Sequence, residues 1–540
     1  ERLERLDKGL PGMPKTRKGT ALPFFRQLEE TVGGNKRLPR WVGELYLEYH
    51  RGTYTSIARN KRYNRKIEFL NQETEWLSTL ASLLVGAEYP QEQLTGIWRT
   101  TLLNQFHDII PGSSIRQVYE ESQEQYLQLF AEDDALVEDA LGALIADIDA
   151  PAPSAIVFNA LGVSRSDVVE IAVPEGWDAV SVWDGDTVLA TQRTEEGGLL
   201  FVARDVPAFG YKTFSLRRET SAVKSTGKVS AKGMENAFFT LKIDGDGAIT
   251  SLVDKRSGRE VLQEGGRANL LQVFEDKPFE YDAWNLEIYY QEKMWEVGKA
   301  EKVEVVESGP VRWALRVRRT FLDSTIDQTY YLYSEIARID FDTTIDWKEF
   351  DLVLKAAFPV DVHAEKATYE IQYGNVERPT HWNTSWDWAR FEVCAHKWAD
   401  LSESGYGVSL LNDCKYGHDI RDGIMRLTLL KAATYPNEDA DREVHKFVYS
   451  LYPHEGGWRE AQTAQMAYRL NVPLRAAVTQ GNSGSQTPVY SLVSSDAANV
   501  MIEVVKQAED GDGIIVRLYE YMNQRTQATV TLGKQMSSVE

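Results

Sequence analysis

The sequence predicts an α+β multidomain protein in which a three-helix bundle is followed by large antiparallel β-sandwich domains. Between about residue 54 and residue 149, apolar residues recur with alternating spacings of four and three, the period of packed helices. This period ends at Pro151, and short alternating runs separated by Gly- and Asp-rich turns continue to the end of the chain. A chain of 540 residues has room for several such domains.

Residues 1 to about 45 precede the predicted bundle and have the pattern of a helix, a loop and a second helix. The loop from Gly9 to Pro14 is a Pro- and Gly-rich break. So short a piece cannot bury a core of its own, and we expect it to belong to a neighbouring domain.

The predicted bundle consists of three long helices with short connections. The second helix ends at Pro111-Gly112, and Ser113 or Ser114 is predicted to cap the third. The apolar stripe of the first helix is Tyr63, Ile67, Leu70, Thr74, Leu77, Ala81 and Leu84. The stripes of the other two are Leu94, Trp98, Thr101 and Leu102, and Ile115, Val118, Tyr119, Ser122, Tyr126, Leu129, Leu136, Ala140 and Leu144.

The region after Pro151 is predicted to be all β. Val168–Val173 and Val311–Arg318 are typical of its strands, and helical stripes are not found there. The Ser-, Thr-, Gly- and Lys-rich stretch Thr220–Lys232 is the predicted linker between two sandwiches.

Composition and charge exclude several classes of function. With 81 acidic and 60 basic residues the net charge is −21, which repels a polyanion such as DNA. No apolar run reaches the ~18 residues needed to cross a bilayer. Two cysteines cannot form a disulfide framework, and their scarcity favours a reducing, cytoplasmic compartment. The aromatic share of 11% permits stacking on sugar rings, but equally a large sandwich core.

One segment stands out as a candidate for chemistry, the stretch Leu103–Ser114. There the pair His107-Asp108 follows a helix end and precedes the Pro111-Gly112 turn, a place that directs side chains toward a neighbouring cleft. The alternative is a capping role, in which His107 interacts with the helix carbonyls and Asp108 caps the next turn.

Three other candidates carry weaker signals. His418-Asp419 repeats the pair in a predicted β-region loop, where turn chemistry accounts for much of the pattern. Asp282-Ala-Trp284 follows an acidic and aromatic stretch, and could face a sugar or form a strand edge. Asn383-Thr-Ser385 matches a glycosylation sequon, which chance explains. Spacing alone assigns no pair of catalytic carboxylates.

The segment Leu103–Ser114 resembles the signature at the end of a bundle helix in glycoside hydrolase family 38, the retaining α-mannosidases. Trp41–Ser56 is similar to that family's entry into the bundle, and Glu377–Trp398 to a β-domain block of its bacterial and cytosolic-type members. Leu410–Asp419 and Glu509–Glu520 match further family blocks in the same order. The resemblance covers essentially the whole chain.

The resemblance implies a domain division and a missing part. Residues 1–45 would be the tail end of an α/β catalytic domain, 46–150 the bundle, 151–222 a small β-domain and 223–540 a large β-sandwich region. The nucleophile, the acid/base carboxylate and a His-x-Asp zinc pair are expected upstream of Glu1. The chain would then be a fragment, inactive alone, and its C-terminus would lack the family's final strands.

The same resemblance implies the site residues. His107 would be the fourth ligand of one zinc ion, and Asp108 would bind sugar hydroxyls beside it. Asp282, Trp284, Asp413 and Lys415 are expected on loops near the cleft. The implied partners are a mannose-containing oligosaccharide and the missing catalytic domain, with a homo-oligomer left open. A non-catalytic carbohydrate-binding or assembly module and a mannosyl-glycerate-type hydrolase are the alternatives.

Overall fold

The computed structural model describes residues 2–8, 11–12, 14–220 and 223–539, which divide between Tyr46 and Leu47 into two compact units. Parts of two sequence-based predictions lie outside the described residues. These are Gly9, Leu10 and Met13 of the predicted loop, and Ser221 and Ala222 of the predicted linker, together with the terminal residues Glu1 and Glu540.

The helices are concentrated before Pro151, as the sequence predicts. None of those described is long and apolar enough to cross a membrane. The helices are α1 (Arg2–Asp7), α2 (Ala21–Val32), α3 (Ala58–Val85), α4 (Gln91–Asn104), α5 (Arg116–Asp147), α6 (Ser385–Ala389) and α7 (Thr463–Asn471), and two 3-10 turns span Arg51–Tyr54 and Ile288–Glu292. The first unit contains α1 and α2, and no residue of α2 is buried.

The helices α3, α4 and α5 form the predicted bundle around a shared apolar core. One part of that core joins Ile67 of α3 and Ile97 of α4 with Tyr126 and Leu129 of α5. All four side chains are at most 4% exposed, and full burial of such a side chain stabilises by about 1.5 to 3 kcal/mol. The three-residue and four-residue spacing therefore identified the packed face of α3 and most of that of α5. It was less accurate elsewhere, because Leu102 and Ile115 of the predicted stripes are 58% and 56% exposed and the buried Ile97 is not in the predicted stripe of α4.

The predicted serine cap of the third helix is wrong. The residue that precedes α5 is Ile115, and no side chain caps the helix. The hydroxyl of Ser114 instead donates to the carbonyl oxygen of Asp108 at 2.6 Å. The hydroxyl of Ser114 therefore stabilises the turn that precedes α5 and not the start of the helix.

Seven strands follow the bundle and begin the β region. They build two sheets, in which β1 and β7 lie side by side and β2 pairs with β6. The strands are β1 (Ser154–Asn159), β2 (Arg165–Ile171), β3 (Ser181–Asp184), β4 (Thr187–Leu189), β5 (Thr191–Arg193), β6 (Leu199–Val206) and β7 (Gly210–Arg217).

The central part of the β region contains twenty strands. In chain order they are β8 (Lys228–Ser230), β9 (Gly233–Glu235), β10 (Phe239–Ile243), β11 (Ile249–Asp254), β12 (Arg259–Glu260), β13 (Leu270–Glu275), β14 (Met294–Glu296), β15 (Lys302–Ser308), β16 (Arg312–Phe321), β17 (Ser324–Tyr333), β18 (Ile339–Asp346), β19 (Leu352–Pro359), β20 (Lys366–Ile371), β21 (Gly374–Pro379), β22 (Val393–Cys394), β23 (Trp398–Ser402), β24 (Tyr406–Asn412), β25 (Gly417–Arg421), β26 (Ile424–Lys431) and β27 (Val444–Glu455).

Two of the sheets made by these strands face each other as a sandwich. A nine-stranded sheet has the order β15-β16-β17-β18-β27-β24-β23-β20-β21, and a six-stranded sheet has the order β14-β13-β19-β26-β25-β22. Phe341 of the first sheet contacts Phe358 of the second, with ring centroids 5.7 Å apart, and Tyr449 packs on both. The predicted antiparallel sandwich is confirmed.

The end of the chain returns to the strands that follow the bundle. β28 pairs with β1 over five positions, from Ser154 opposite Thr479 to Phe158 opposite Arg475. The sheet that begins at Ser154 is therefore not made from residues 151–222 alone. The last strands are β28 (Arg475–Thr479), β29 (Val489–Ser491), β30 (Val493–Ser495), β31 (Val500–Gln507), β32 (Ile514–Glu520) and β33 (Val530–Leu532).

Within the described part of the chain, every pair of strands is antiparallel, and one isolated bridge between Ile148 and Gln486 is parallel. The expectation that helices end at Pro151 holds except for α6 and α7, which are short. α6 has five residues and α7 has nine, which is shorter than the window over which a 3.6-residue stripe can be recognised, and the sequence pattern therefore misses both.

A buried carboxylate in the bundle gives the first testable prediction. Asp133 of α5 is fully buried, and the hydroxyl of Thr74 that could reach it donates instead to the carbonyl oxygen of Leu70. Burial raises the pKa of the Asp133 carboxyl to about 7, and the carboxylate of Asp134 adds to the rise. Such a carboxyl has a higher pKa in the folded protein than in the unfolded chain. As the pH rises from the unfolded pKa to the folded pKa, the free energy of unfolding therefore falls.

We therefore expect Asp133→Asn to unfold at a higher temperature than the parent at pH 8, by an amount worth about 1 to 3 kcal/mol. At pH 3, where the carboxyl is largely protonated in both the folded and the unfolded state, the difference should shrink to near zero. Thermal unfolding at both pH values measures this, with the exposed Asp139→Asn as the matched control. An equal difference at the two pH values would contradict the assignment.

Candidate functional site

The end of α4 presents His107 and Asp108 at the surface. Their side chains are 78% and 59% exposed, and His107 Nε2 lies 3.4 Å from Asp108 Oδ2. The ring of Phe106 packs beside the imidazole, with centroids 4.3 Å apart. The last carbonyls of α4 accept from the backbone N–H of Gln105, so the capping role considered for His107 is already filled by the main chain.

The turn that carries this pair is held by the start of α5. The hydroxyl of Tyr119 donates to the carbonyl oxygen of Ile109 at 3.1 Å and accepts from the backbone N–H of Ser114 at 3.0 Å. Gly112 has a φ of +89°, and a Cβ there would lie 2.3 Å from the carbonyl oxygen of Ser56. Only glycine fits both this conformation and this close approach.

A buried lysine ties the same turn to the first turn of α3. Lys61 Nζ donates to the carbonyl oxygen of Ile110 at 3.0 Å and also to that of Ser56. Burial lowers the pKa of the Lys61 ammonium, and the carboxylate of Asp441 opposes that shift. The side-chain and backbone contacts together fix the turn, so the positions of His107 and Asp108 are set by the bundle.

A loop of the β region packs next to this turn. The hydroxyl of Ser56 donates to the carbonyl oxygen of Ala283 at 2.6 Å, and the backbone N–H of Gly52 donates to that of Trp284 at 2.8 Å. Ile109 and Trp284 pack against one apolar cluster that includes Tyr119 and Ala283. The structure therefore brings Trp284 into the neighbourhood of the His107-Asp108 turn.

Asp282 has a structural role in this loop. Its carboxylate accepts from the backbone N–H of Thr434 at 2.7 Å and from that of Tyr435 at 3.0 Å. These bonds hold the segment 434–435 against the loop and place the Trp284 ring between Tyr281 and Tyr435, with centroids 5.9 and 6.5 Å away. The strand-edge alternative for Asp282 is not observed, because the residue lies in a loop.

Sequence reasoning missed the two tyrosines that complete this aromatic group. Tyr281 is 51% exposed and Tyr435 is 58% exposed, so both present apolar ring faces to solvent beside Trp284. Tyr281 adjoins the acidic and aromatic stretch that pointed to Asp282, and this signal could have found it. Nothing in the sequence near Tyr435 marks it, since its position depends on the bonds to Asp282.

Asp413 and Lys415 lie in the interior. Each is 4% exposed. Asp413 forms an ion pair with Lys66 at 3.0 Å, and Lys415 Nζ donates to the carbonyl oxygen of Leu429 at 2.7 Å and lies over the ring of Phe447. Their burial and internal partners are those of structural residues, and the expectation of sugar contacts is not supported for this pair.

The two remaining weaker candidates lie in or next to regular secondary structure. His418 and Asp419 lie in strand β25 rather than in a loop, and both are buried. Thr384 caps α6 by accepting from the backbone N–H of Asp387, so the sequon residues belong to a helix start.

A second group of possible metal ligands lies at Asp441, Glu443 and His445, whose ligand atoms are within 4.8 Å of one another. All three are already engaged. The Asp441 carboxylate accepts from two backbone N–H groups at the start of α3, Glu443 pairs with Arg59, and His445 Nε2 lies 2.8 Å from the Asp441 carbonyl oxygen. This set does not fit a zinc site with an open position. The imidazole of His107, which is 78% exposed, does fit as one ligand of such a site.

Three family models match the chain and together cover more than half of it. The alpha mannosidase middle domain matches residues 48–144, the glycosyl hydrolases family 38 C-terminal domain matches 234–439, and the family 38 C-terminal beta sandwich domain matches 499–540.

Curated relatives and a solved structure agree with these matches. The chain is 37% identical over 529 residues to alpha-mannosidase 2C1 of Homo sapiens, covering 96% of this chain and 49% of the human protein. It is 33% identical over 563 residues to alpha-mannosidase G of Dictyostelium discoideum, covering 96% and 51%. The chain thus spans about half the length of these relatives. An alpha-mannosidase structure from Enterococcus faecalis V583 shares the fold, with a TM-score of 0.83 at 17% identity over 98% of this chain and 70% of that one.

Proposed function

The chain belongs to glycoside hydrolase family 38, and from this premise we propose that it is the bundle and β-sandwich part of a retaining, zinc-dependent α-mannosidase. The observation that carries the proposal is the exposed His107-Asp108 turn, fixed by α3 and α5 and flanked by an aromatic loop. An imidazole and a carboxylate carried by a fixed turn at a protein surface are suited to complete a site whose other groups come from another domain.

In this proposal His107 supplies one of the four ligands of a zinc ion. Bound zinc would polarise sugar hydroxyls and help to hold the ring in a reactive shape. The carboxylate of Asp108, 3.4 Å from the His107 Nε2, orients the imidazole and keeps its second oxygen for a sugar hydroxyl. The remaining ligands are expected in the part of the full-length protein that precedes Glu1.

The aromatic group Tyr281, Trp284 and Tyr435 binds the apolar face of a sugar in the same site. Its ring edges and faces are partly exposed, and the Asp282 bonds to the segment 434–435 preorganise it. Stacking on a fixed aromatic surface restricts the orientation of the glycan without adding charge.

Retaining hydrolysis needs a nucleophilic carboxylate and an acid/base carboxylate about 5 to 5.5 Å apart. We place both upstream of this chain, because Asp108 is committed to His107 and to sugar hydroxyls. The proposed partners are a mannose-containing oligosaccharide and the upstream catalytic domain, and the proposed compartment is the cytoplasm. The thiols of Cys394 and Cys414 are compatible with that reducing environment.

The test is the substrate range of the full-length protein. We expect hydrolysis of an aryl α-mannoside with retention of configuration, observed as the α-anomer of mannose released first in an NMR time course. An aryl α-glucoside should react at least about 100-fold more slowly, because its equatorial O2 disfavours zinc and Asp108 contacts. A preference for mannosyl-glycerate over the aryl α-mannoside would favour the alternative hydrolase, and hydrolysis of neither would favour a non-catalytic binding module.

A further inference from the structure

A second pocket lies in the β region and shares no lining residue with the His107-Asp108 turn or with the loop at Trp284. It has a volume of about 240 Å³ and opens between the six-stranded sheet and the segment 379–391. Strands β13, β14, β25 and β26 contribute to it, and no role in the proposed hydrolysis has been given to it. Its volume is below the range of about 300 to 1,000 Å³ of pockets for drug-sized ligands, which indicates a small occupant.

The walls of this pocket are aromatic and held in place. The ring of Tyr290 contacts Phe274 at 5.2 Å and Phe391 at 6.2 Å between centroids. The guanidinium of Arg421 lies 3.8 Å from the centre of the Trp382 ring and fixes the opposite side. A saturated ring in a chair shape, with C–H groups on its faces, suits such walls.

The polar side of the pocket is a buried network. Arg426 Nη1 donates to Asp419 Oδ1 at 2.9 Å, and Arg426 Nε donates to Gln272 Oε1 at 2.9 Å. The second oxygen of Asp419 accepts from Lys355 Nζ at 2.8 Å, and Lys355 also pairs with Glu392. Asp419 and Gln272 are each 8% exposed, so these groups are oriented before any ligand arrives.

Two donors in this network remain available. Gln272 Nε2 and Arg426 Nη2 donate to no residue in the described part of the chain, although both side chains line the pocket. The oxygens of Asp419 each accept one bond and can accept another. A ligand that both donates and accepts, as a hydroxyl does, would satisfy this set.

The charge balance argues for an uncharged ligand. Four cations that line the pocket or lie beneath it are each matched by a carboxylate within 3.4 Å, so these four pairs leave no net positive charge to attract an anion. The pairs are Arg390 with Asp387, Arg421 with Asp422, Arg426 with Asp419, and Lys355 with Glu392.

We propose that this pocket is an accessory binding site for one neutral pyranose ring, such as a sugar of the glycan outside the bond that is cleaved. The aromatic walls contact the ring faces, and Asp419, Arg426 and Gln272 bind neighbouring hydroxyls. The inference goes beyond the proposed hydrolysis, because it needs neither His107 nor the upstream catalytic groups.

The test is a titration of the chain with methyl α-D-mannopyranoside, followed by calorimetry and saturation-transfer NMR. We expect binding in the millimolar range, and protection of segment 379–391 from hydrogen exchange when the sugar is present. Trp382→Ala should weaken binding at least about tenfold, since it removes one wall, and Arg426→Lys should do so by removing the free Nη2 donor. Trp388→Ala, an exposed tryptophan on α6 that does not line the pocket, is the matched control and should bind normally.

A His107→Ala chain separates this proposal from the proposed function. Binding that persists in it and is lost in Trp382→Ala would support the accessory site whether or not His107 proves to hold a metal. Binding lost in His107→Ala and unchanged in Trp382→Ala and Arg426→Lys would overturn the inference. So would binding of inorganic phosphate without the sugar, or the absence of both sugar binding and protection of segment 379–391.

Discussion

Replacing His107 by alanine in the full-length protein is expected to lower kcat/KM for an aryl α-mannoside by about 100-fold or more, because a metal ion acting as a Lewis acid is worth several kcal/mol. The same substitution should reduce bound zinc well below one equivalent per chain. Fold stability should change little, because His107 is 78% exposed and its contacts are with Phe106 and Asp108. Metal analysis and steady-state kinetics of the same preparation measure both effects.

Two variants make this result specific. His363→Ala changes another exposed histidine of the chain and should retain activity and zinc. Asp108→Asn should retain zinc but lose kcat/KM, since its carboxylate is assigned to the imidazole and to sugar hydroxyls rather than to the metal. Full activity and full zinc in His107→Ala would remove the metal role and leave His107 as a surface residue.

The isolated 540-residue chain is expected to show no turnover of an aryl α-mannoside, with or without added zinc. The physical reason is that retention requires two carboxylates at a fixed separation, and the proposal places both outside this chain. After dialysis the chain should hold well under one equivalent of zinc, because a single imidazole binds the ion weakly. Activity assays and metal analysis of the dialysed chain provide the measurement.

Each contrary outcome points to particular residues. Turnover by the purified chain would mean that its catalytic carboxylates are among residues described here as structural. Tightly held stoichiometric zinc would direct attention to Asp441, Glu443 and His445, whose ligand atoms are clustered. In that case His445→Ala, but not His107→Ala, should release the metal.

The sequence by itself determined the class of fold, and it marked His107 and Asp108 as candidates whose site roles come from the family resemblance. The helix period is a local property, so the alternating three- and four-residue spacing located the buried faces of α3 and α5, whereas the predicted stripe of α4 includes the exposed Leu102 and misses Ile97. The strand period is also local, so the alternation after Pro151 indicated antiparallel sandwiches. His107 and Asp108 were recognisable because a helix end and a Pro-Gly turn adjoin them in the chain.

Tertiary structure alone decided which other polar residues are accessible. Asp413 and Lys415 fall in a motif that resembles a family block, yet the packing of β26 and β27 and an ion pair with Lys66 bury them. The position of Tyr435 depends on bonds to Asp282, which is 153 residues away in the chain. Contacts over such separations leave no periodic signal in the sequence.

The pairing of strands into sheets is also decided by the tertiary structure and not by local sequence. β1 and β28 lie side by side although more than 300 residues separate Ser154 from Thr479, and the sequence pattern assigned them to different domains. The pocket proposed to bind a sugar is assembled from five strands, a 3-10 turn and the segment 380–391, whose spacing in the chain has no common period. An individual strand is specified by local alternation, but its neighbour is selected by the apolar surface and hydrogen bonds that the whole fold can satisfy.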